Sequence, residues 1–229
     1  MNTATRFLAA ILLTLTANAN GANLITNGSF ETFVVGSHDA NMGGFFRFFT
    51  PPANTDITGW TVTGSSGGNP NNVDNVNISL YPAYVGNYSL DLEGAIGASG
   101  VISQSFATTA GVTYDLSFAY GNNPYGGDPG ATANVLVTGA GVLLNQDISH
   151  NTSVFGGSMN YSLFSQNFVA DSSTTTLQFS ALTNSGFGIA LDAVSVDGVA
   201  TTGVPEPATL SLIGLGLAGA GFMRRRKLA

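Results

Sequence analysis

Thirteen Asp and Glu, two His and no Cys are the ionisable groups from which this 229-residue chain could build acid, base or metal chemistry. Asp91 and Glu93 stand two residues apart in S-L-D-L-E-G. On a strand they share one side, with α-carbons roughly 6.5–7 Å apart. That spacing could suit the paired carboxylates of a glycosidase, but the reading it favours is a solvated strand face. Asp192 lies inside the apolar run 189–196. A carboxylate there needs a partner, because burying an isolated charge is costly. Between positions 7 and 223 the only Lys or Arg is Arg47. A hard cation such as calcium, held by carboxylates and carbonyls, would serve instead; hydrogen bonds from backbone amides at a strand end are the other solution. His38 and His150 both fall in polar, loop-like stretches. The one G-x-S-x-G spacing, at 64–68, falls in a Gly/Ser/Asn run over 64–72 and not in a strand–turn–helix elbow, and there is no H-E-x-x-H and no phosphate-cradling glycine loop. The absence of Cys removes disulfides, thiolate zinc sites and cysteine catalysis. The expectation is a protein without a catalytic site.

Sugar binding needs an aromatic platform beside a few aimed polar groups. Tyr125 in GNNPYGGDPG (121–130) and Tyr81 and Tyr84 in LYPAY (80–84) are the exposed candidates, with Asn122, Asn123 and Asp128 as polar partners. Packing of their own loops is the competing role for these tyrosines. Trp60, between Ile57 and Val62, reads as core. Phe45, Phe46, Phe48 and Phe49 read as a hydrophobic plug under a long loop, 36–52, with a partner-protein patch as the alternative.

The elements that must carry these residues are strands. Between residues 23 and 199 no stretch holds a 3.6-residue period, whereas short β-type runs recur between Gly, Asn, Pro and Ser clusters. The runs are 29–35, 57–63, 76–80, 88–92, 101–106, 113–120, 133–138, 142–148, 161–170, 175–181 and 187–196. Two alternate cleanly. Tyr114, Leu116, Phe118 and Tyr120 share one side of their run, and Leu177, Phe179 and Ala181 share one side of theirs. Alternation at period two means sheets with one buried face, hence an all-β sandwich or jelly roll in a single domain, 20–200. Residues 20–204 carry 12 acids and one Arg, so 1 − 12 = −11. Such a body lacks the basic footprint that nucleic acid requires.

Both ends read as addresses. Arg6, an apolar run over 7–16 and Ala17-Asn18-Ala19 form a secretory signal peptide over 1–19. At the other end Pro205-Glu206-Pro207 precedes sixteen uncharged residues, 208–223, and then Arg224, Arg225, Arg226 and Lys227. As a helix that apolar stretch would span about 24 Å, short of a ~30 Å hydrocarbon core. It suits a temporary transmembrane anchor in the inner membrane, with the basic cluster on the cytoplasmic side and the body outside. The three parts, in this order, resemble the PEP-CTERM sorting signal of Gram-negative bacteria, over 201–229. The resemblance implies processing by an exosortase and a producer of extracellular polysaccharide. The tail is sometimes named after ice-binding proteins, a label that concerns the tail alone.

A second resemblance spans the body. NLITNGSFE (23–31), ITGWTV (57–62), SLDLEG (89–94), GVISQSF (100–106), GVTYDLSF (111–118), FVA (168–170) and LDAV (191–194) follow in order. Together they resemble the choice-of-anchor C family and, more distantly, a plant cell-wall family with the same N-G-S-F-E opening. Both imply a galactose-binding-like jelly roll. The resemblance also implies a structural calcium site joining Glu31 from the opening strand to Asp192 from the closing one, with backbone oxygens near Asn27 available. Without the ion, Glu31 would face water. The expected function is an exported protein of the cell surface or extracellular matrix, whose body binds polysaccharide or contributes to the matrix. A protein–protein adhesion module is the alternative, and a glycan-active hydrolase using Asp91 or Glu93 a remote third.

Overall fold

The computed structural model describes residues 22–36, 40–49, 53–64, 72–94, 99–126, 130–151 and 158–199. The expected signal peptide over 1–19, the 201–229 tail with its sorting residues, His38 and Asp128 lie outside the described residues.

Among those residues the chain forms twelve strands and no helix. They are β1 (Ala40–Asn41), β2 (Phe45–Phe49), β3 (Thr61–Gly64), β4 (Asn72–Asn77), β5 (Tyr88–Asp91), β6 (Gly100–Ala107), β7 (Thr113–Asn122), β8 (Ala131–Thr138), β9 (Val142–His150), β10 (Ser162–Val169), β11 (Thr174–Ala181) and β12 (Ile189–Gly198). One sheet has seven strands in the order β1-β2-β4-β5-β12-β7-β10, the other five in the order β3-β6-β11-β8-β9. Every pairing is antiparallel.

Period-two alternation is what makes this a sandwich. On β7, Tyr114, Leu116 and Phe118 are buried and Tyr120 packs at the core's margin; on β11, Leu177, Phe179 and Ala181 are buried. Phe118 stacks on Phe164 of β10 at 4.6 Å and meets Phe179 of the facing sheet edge-on at 5.0 Å. Trp60 is core as expected, 5.4 Å from Phe30 and 6.3 Å from Phe179. Its indole N–H donates to the Asn27 carbonyl at 3.1 Å. Each such side chain, fully buried, contributes about 1.5–3 kcal/mol.

Three expected elements differ. The 76–80 run holds only the end of β4 before a turn at 78–80. The 29–35 run is not a strand; it meets Ile57 through a single bridge at Phe33. Asn27 and Phe30 adopt φ of 54° and 57°, which breaks the extended path. The aromatic cluster expected to plug a loop is instead strand β2, paired with β4. Phe48 of β2 is buried and Phe46 packs against the core, which makes the run a strand with one inward face.

The opening N-G-S-F-E and closing L-D-A-V segments dock on each other. The Asn27 side chain donates to the carbonyls of Thr32 and Thr58 (2.8 and 3.1 Å) and accepts from the Thr32 amide (3.0 Å). Gly28 accepts from the Val194 amide at 2.9 Å, and a Cβ on Gly28 would collide with the Val194 carbonyl. A bulge between Asp192 and Ser195, with Ala193 at φ 51°, turns β12 to make that contact.

Candidate functional site

The cross-strand registers define what the seven-stranded sheet shows on its outer face. Phe45 and Arg47 on β2 lie opposite Val76 and Asp74 on β4; these lie opposite Ser89 and Asp91 on β5; Asp91 lies opposite Ala190 on β12. The neighbours one residue along, including Phe48, Val73, Leu90 and Leu191, form the sandwich core. The outer face carries a second, smaller core of Val76, Tyr81, Met159 and Ala190, against which Phe45, Leu80, Tyr125 and Tyr161 pack. Beside it opens a groove of about 390 Å³ lined by Phe45, Arg47, Asp74, Asn123, Tyr125 and Phe187.

Polar groups in and behind its wall are held rigidly. Arg47 grips Asp74 in a fork, Nε to Oδ1 at 2.8 Å and Nη2 to Oδ2 at 2.9 Å, with the guanidinium 5.3 Å from the centre of the Phe45 ring. Burial pushes the Asp74 carboxyl up, with Arg47 opposing the shift and Asp91 adding to it; the fork, in which both oxygens accept from the guanidinium, holds it as the carboxylate. Asp91 accepts from the Asn123 side chain (2.7 Å), the Glu93 amide (2.9 Å) and the Gly188 amide (3.0 Å). Burial raises it to about 7, against those hydrogen bonds. Glu93 accepts from the Thr183 hydroxyl, from the Ser185 hydroxyl at 3.1 Å and from the Gly186 amide at 2.9 Å.

Asp91 and Glu93 are therefore not on a solvated strand face; both are buried. The physical reason is position: β5 is an inner strand, and the 183–188 segment folds over its end. The two carboxylates gather that segment's donors, and in doing so set Phe187 on the rim of the groove. The 123–126 turn closes on the same spot. The Asn123 amide donates to the Gly188 carbonyl at 2.9 Å, and a Cβ on Gly126 would stand 2.6 Å from that of Phe187.

The expected sugar-binding residues divide. Tyr125 and Asn123 line the groove; the Tyr125 hydroxyl donates to the Leu80 carbonyl at 3.1 Å. Tyr81 is buried, not exposed, because it forms the outer core with Val76 and Met159, and burial pushes its phenol well up. Asn122 is fully buried, 2.8 Å from His150 Nδ1 through its side-chain oxygen. Tyr84 is 46% exposed but stands edge-on to Tyr161, beside a separate depression of about 260 Å³ that includes Leu163 and Ala193.

Glu31 and Asp192 converge on one turn. Asp192 Oδ2 accepts from the amides of Tyr84 and Val85 (2.8 and 2.9 Å), and Glu31 Oε1 from those of Asn87 and Tyr88 (2.7 and 2.9 Å). Burial raises the Asp192 carboxyl to about 7; its amide bonds oppose this and the Glu31 charge adds to it. Among the described residues no group of three or more His, Cys, Asp or Glu could hold a metal. The residues sequence reasoning missed are Arg47, Asp74 and Phe187. One signal was present: the single basic residue of an acidic body sits between aromatic residues, in F-F-R-F-F.

Comparison with curated proteins returns no match. Solved structures with a similar fold include a family 61 carbohydrate-binding module in complex with beta-1,4-galactotriose (14% identity, 76% of this chain and 97% of that one, TM-score 0.47). A second module of family 16 gives 13% identity over 76% and 99% of the two chains, TM-score 0.44. A family 35 module from Clostridium thermocellum gives 12% over 66% and 96%, TM-score 0.41. Residues 203–227 match the PEP-CTERM protein-sorting motif. Residues 23–197 match one family model from the N-G-S-F-E opening to the end of β12, and on that match the chain belongs to DUF642, a family described as of unknown function.

Proposed function

We propose that the domain binds polysaccharide in the groove on the outer face of the seven-stranded sheet. In this reading, which includes a place in the choice-of-anchor C group, the chain is exported and held briefly in the inner membrane by 208–223. An exosortase then processes it near Pro205-Glu206-Pro207, and the body stays at the cell surface or in the extracellular matrix. The observation that carries the reading is the lining itself. Aromatic side chains of Tyr125, Phe45 and Phe187 border a hydrogen-bonded polar wall of Arg47, Asp74 and Asn123, the combination that sugar rings and their hydroxyls require. Phe187 is 36% exposed, so Phe187→Ala removes platform area with little loss of packing. On a glycan array the variant should bind at least tenfold more weakly with a melting midpoint within about 3 °C of the parent. Undiminished binding would refute the groove.

Calcium at Glu31 and Asp192 belongs to the same proposal. The two carboxylates are coupled through their charges, and the body's only Arg is already committed to Asp74. The residues fit as hard oxygen donors, and Glu31 Oε2 is only loosely engaged, by a 3.4 Å contact from the Asn87 side chain. The ion would neutralise the pair and tie the 84–88 turn to both ends of the domain. The adhesion alternative is favoured by β10, an uncharged edge strand exposing Leu163 (68%) and Val169 (54%). Flat glycan arrays together with self-association in sedimentation would favour it over sugar binding.

A further inference from the structure

The groove's electrostatics narrow what can occupy it. We infer that the Arg47–Asp74 pair reads the hydroxyl groups of an uncharged glycan, and that the groove rejects uronate polymers. The inference rests on the polysaccharide reading of the same groove and specifies its ligand class.

Arg47 is the body's sole cationic side chain, and two of its three guanidinium nitrogens are engaged by Asp74. No positive charge remains to receive a carboxylate or sulfate. An acidic sugar would instead meet Asp74 at the wall, with Asp91 behind it opposite on the next strand and Glu93 beyond. A cationic sugar gains little either. Asp74 already has its guanidinium, and Asp91 is shielded by three donors. A neutral hydroxyl suits the pair, because it both donates and accepts. Nη1 of Arg47 has no partner among the described residues and can donate. Asp74 lines the groove, and its carboxylate keeps acceptor lone pairs beyond the two bonds from Arg47. Donor and acceptor lie side by side on adjacent strands, beside the Phe45 ring.

The pair is also an uneconomical way to fill a sheet face. Replacing a desolvated ion pair by apolar side chains of similar volume is often neutral or stabilising, so a role in recognition gives it a purpose that stability does not.

The test measures the exported chain, in chelator, against three soluble probes: a neutral β-1,4-galactan or β-glucan, polygalacturonate, and chitosan oligomers. A neutral polymer should bind, with affinity changing less than about twofold between 0.05 and 0.5 M salt. Polygalacturonate and chitosan should bind at least tenfold more weakly. Either charged polymer binding as tightly as the best neutral one overturns the ligand class while leaving sugar binding intact. Binding to none of the three overturns the polysaccharide reading itself. Arg47→Met with Asp74→Leu removes both charges together, so neither is left buried alone. That double variant should melt no lower than the parent and lose at least tenfold in neutral-glycan affinity. Retained affinity would show that the pair does not read the sugar.

Discussion

Stability should fall as pH rises from 5 to 7, opposite to the usual behaviour of a protein rich in paired carboxylates. The perturbation is deprotonation of Asp91, fully buried on β5 with no cationic partner. Its folded carboxyl is raised from 3.8 to about 7, chiefly by burial. That lies above the unfolded value, so in this window the folded protein holds more protons than the unfolded chain. Stability then decreases with pH by about 1.4 kcal/mol per unit for each proton retained. With one proton retained over most of the window, two pH units cost about 2.3 kcal/mol. For a domain of this size that is roughly 5–10 °C in melting midpoint. Calorimetry in chelator at pH 5, 6 and 7 measures it directly. In Asp91→Asn the slope should shrink, because one titrating carboxyl is gone. A midpoint that stays level or climbs over this range would refute the assignment of a buried, proton-holding aspartate on this face.

Gly28→Ala drives a methyl group into the Val194 carbonyl at the joint of the opening and closing segments, so it should cost about 2–4 kcal/mol in urea unfolding. Trp60→Phe keeps most of the core volume but leaves the Asn27 carbonyl without its indole donor; a loss of about 1–2 kcal/mol is expected in the same assay. Asp192→Ala releases the amides of Tyr84 and Val85, which should exchange with solvent at least tenfold faster while β7 amides keep their protection. Saturating calcium should raise the melting midpoint of the parent by several degrees, and Glu31→Gln should abolish that gain; a midpoint indifferent to chelator would remove the ion from the proposal.

Much of the architecture was legible because alternation is a local signal. The runs around Tyr114–Phe118 and Leu177–Ala181 show their buried side in the order of residues, and the sandwich follows from having many such runs. Phe45 and Phe48 were misread for a related reason. A strand of five residues with four phenylalanines has no polar alternate apart from Arg47, so its period is hidden. Asp91 and Glu93 were misplaced because local sequence reports which side of a strand a residue takes. It does not report whether another segment covers that side. The 183–188 segment that buries them is ninety residues distant in the chain.

Composition and order alone determined that the body is an acidic all-β domain with no Cys, followed by a sorting motif. Those properties are sums or short-range patterns, which survive in one dimension. Only the tertiary structure decided where a ligand could sit. The groove joins β2 and β4 to turns at 123–126 and 185–188, and no spacing rule links those positions. It also decided what the scarce basic charge is for. In sequence Arg47 is an isolated exception; across the β2–β4 register it becomes the partner of Asp74. The reason is physical: an ion pair needs two side chains within about 4 Å, and antiparallel pairing supplied that proximity across 27 residues of chain.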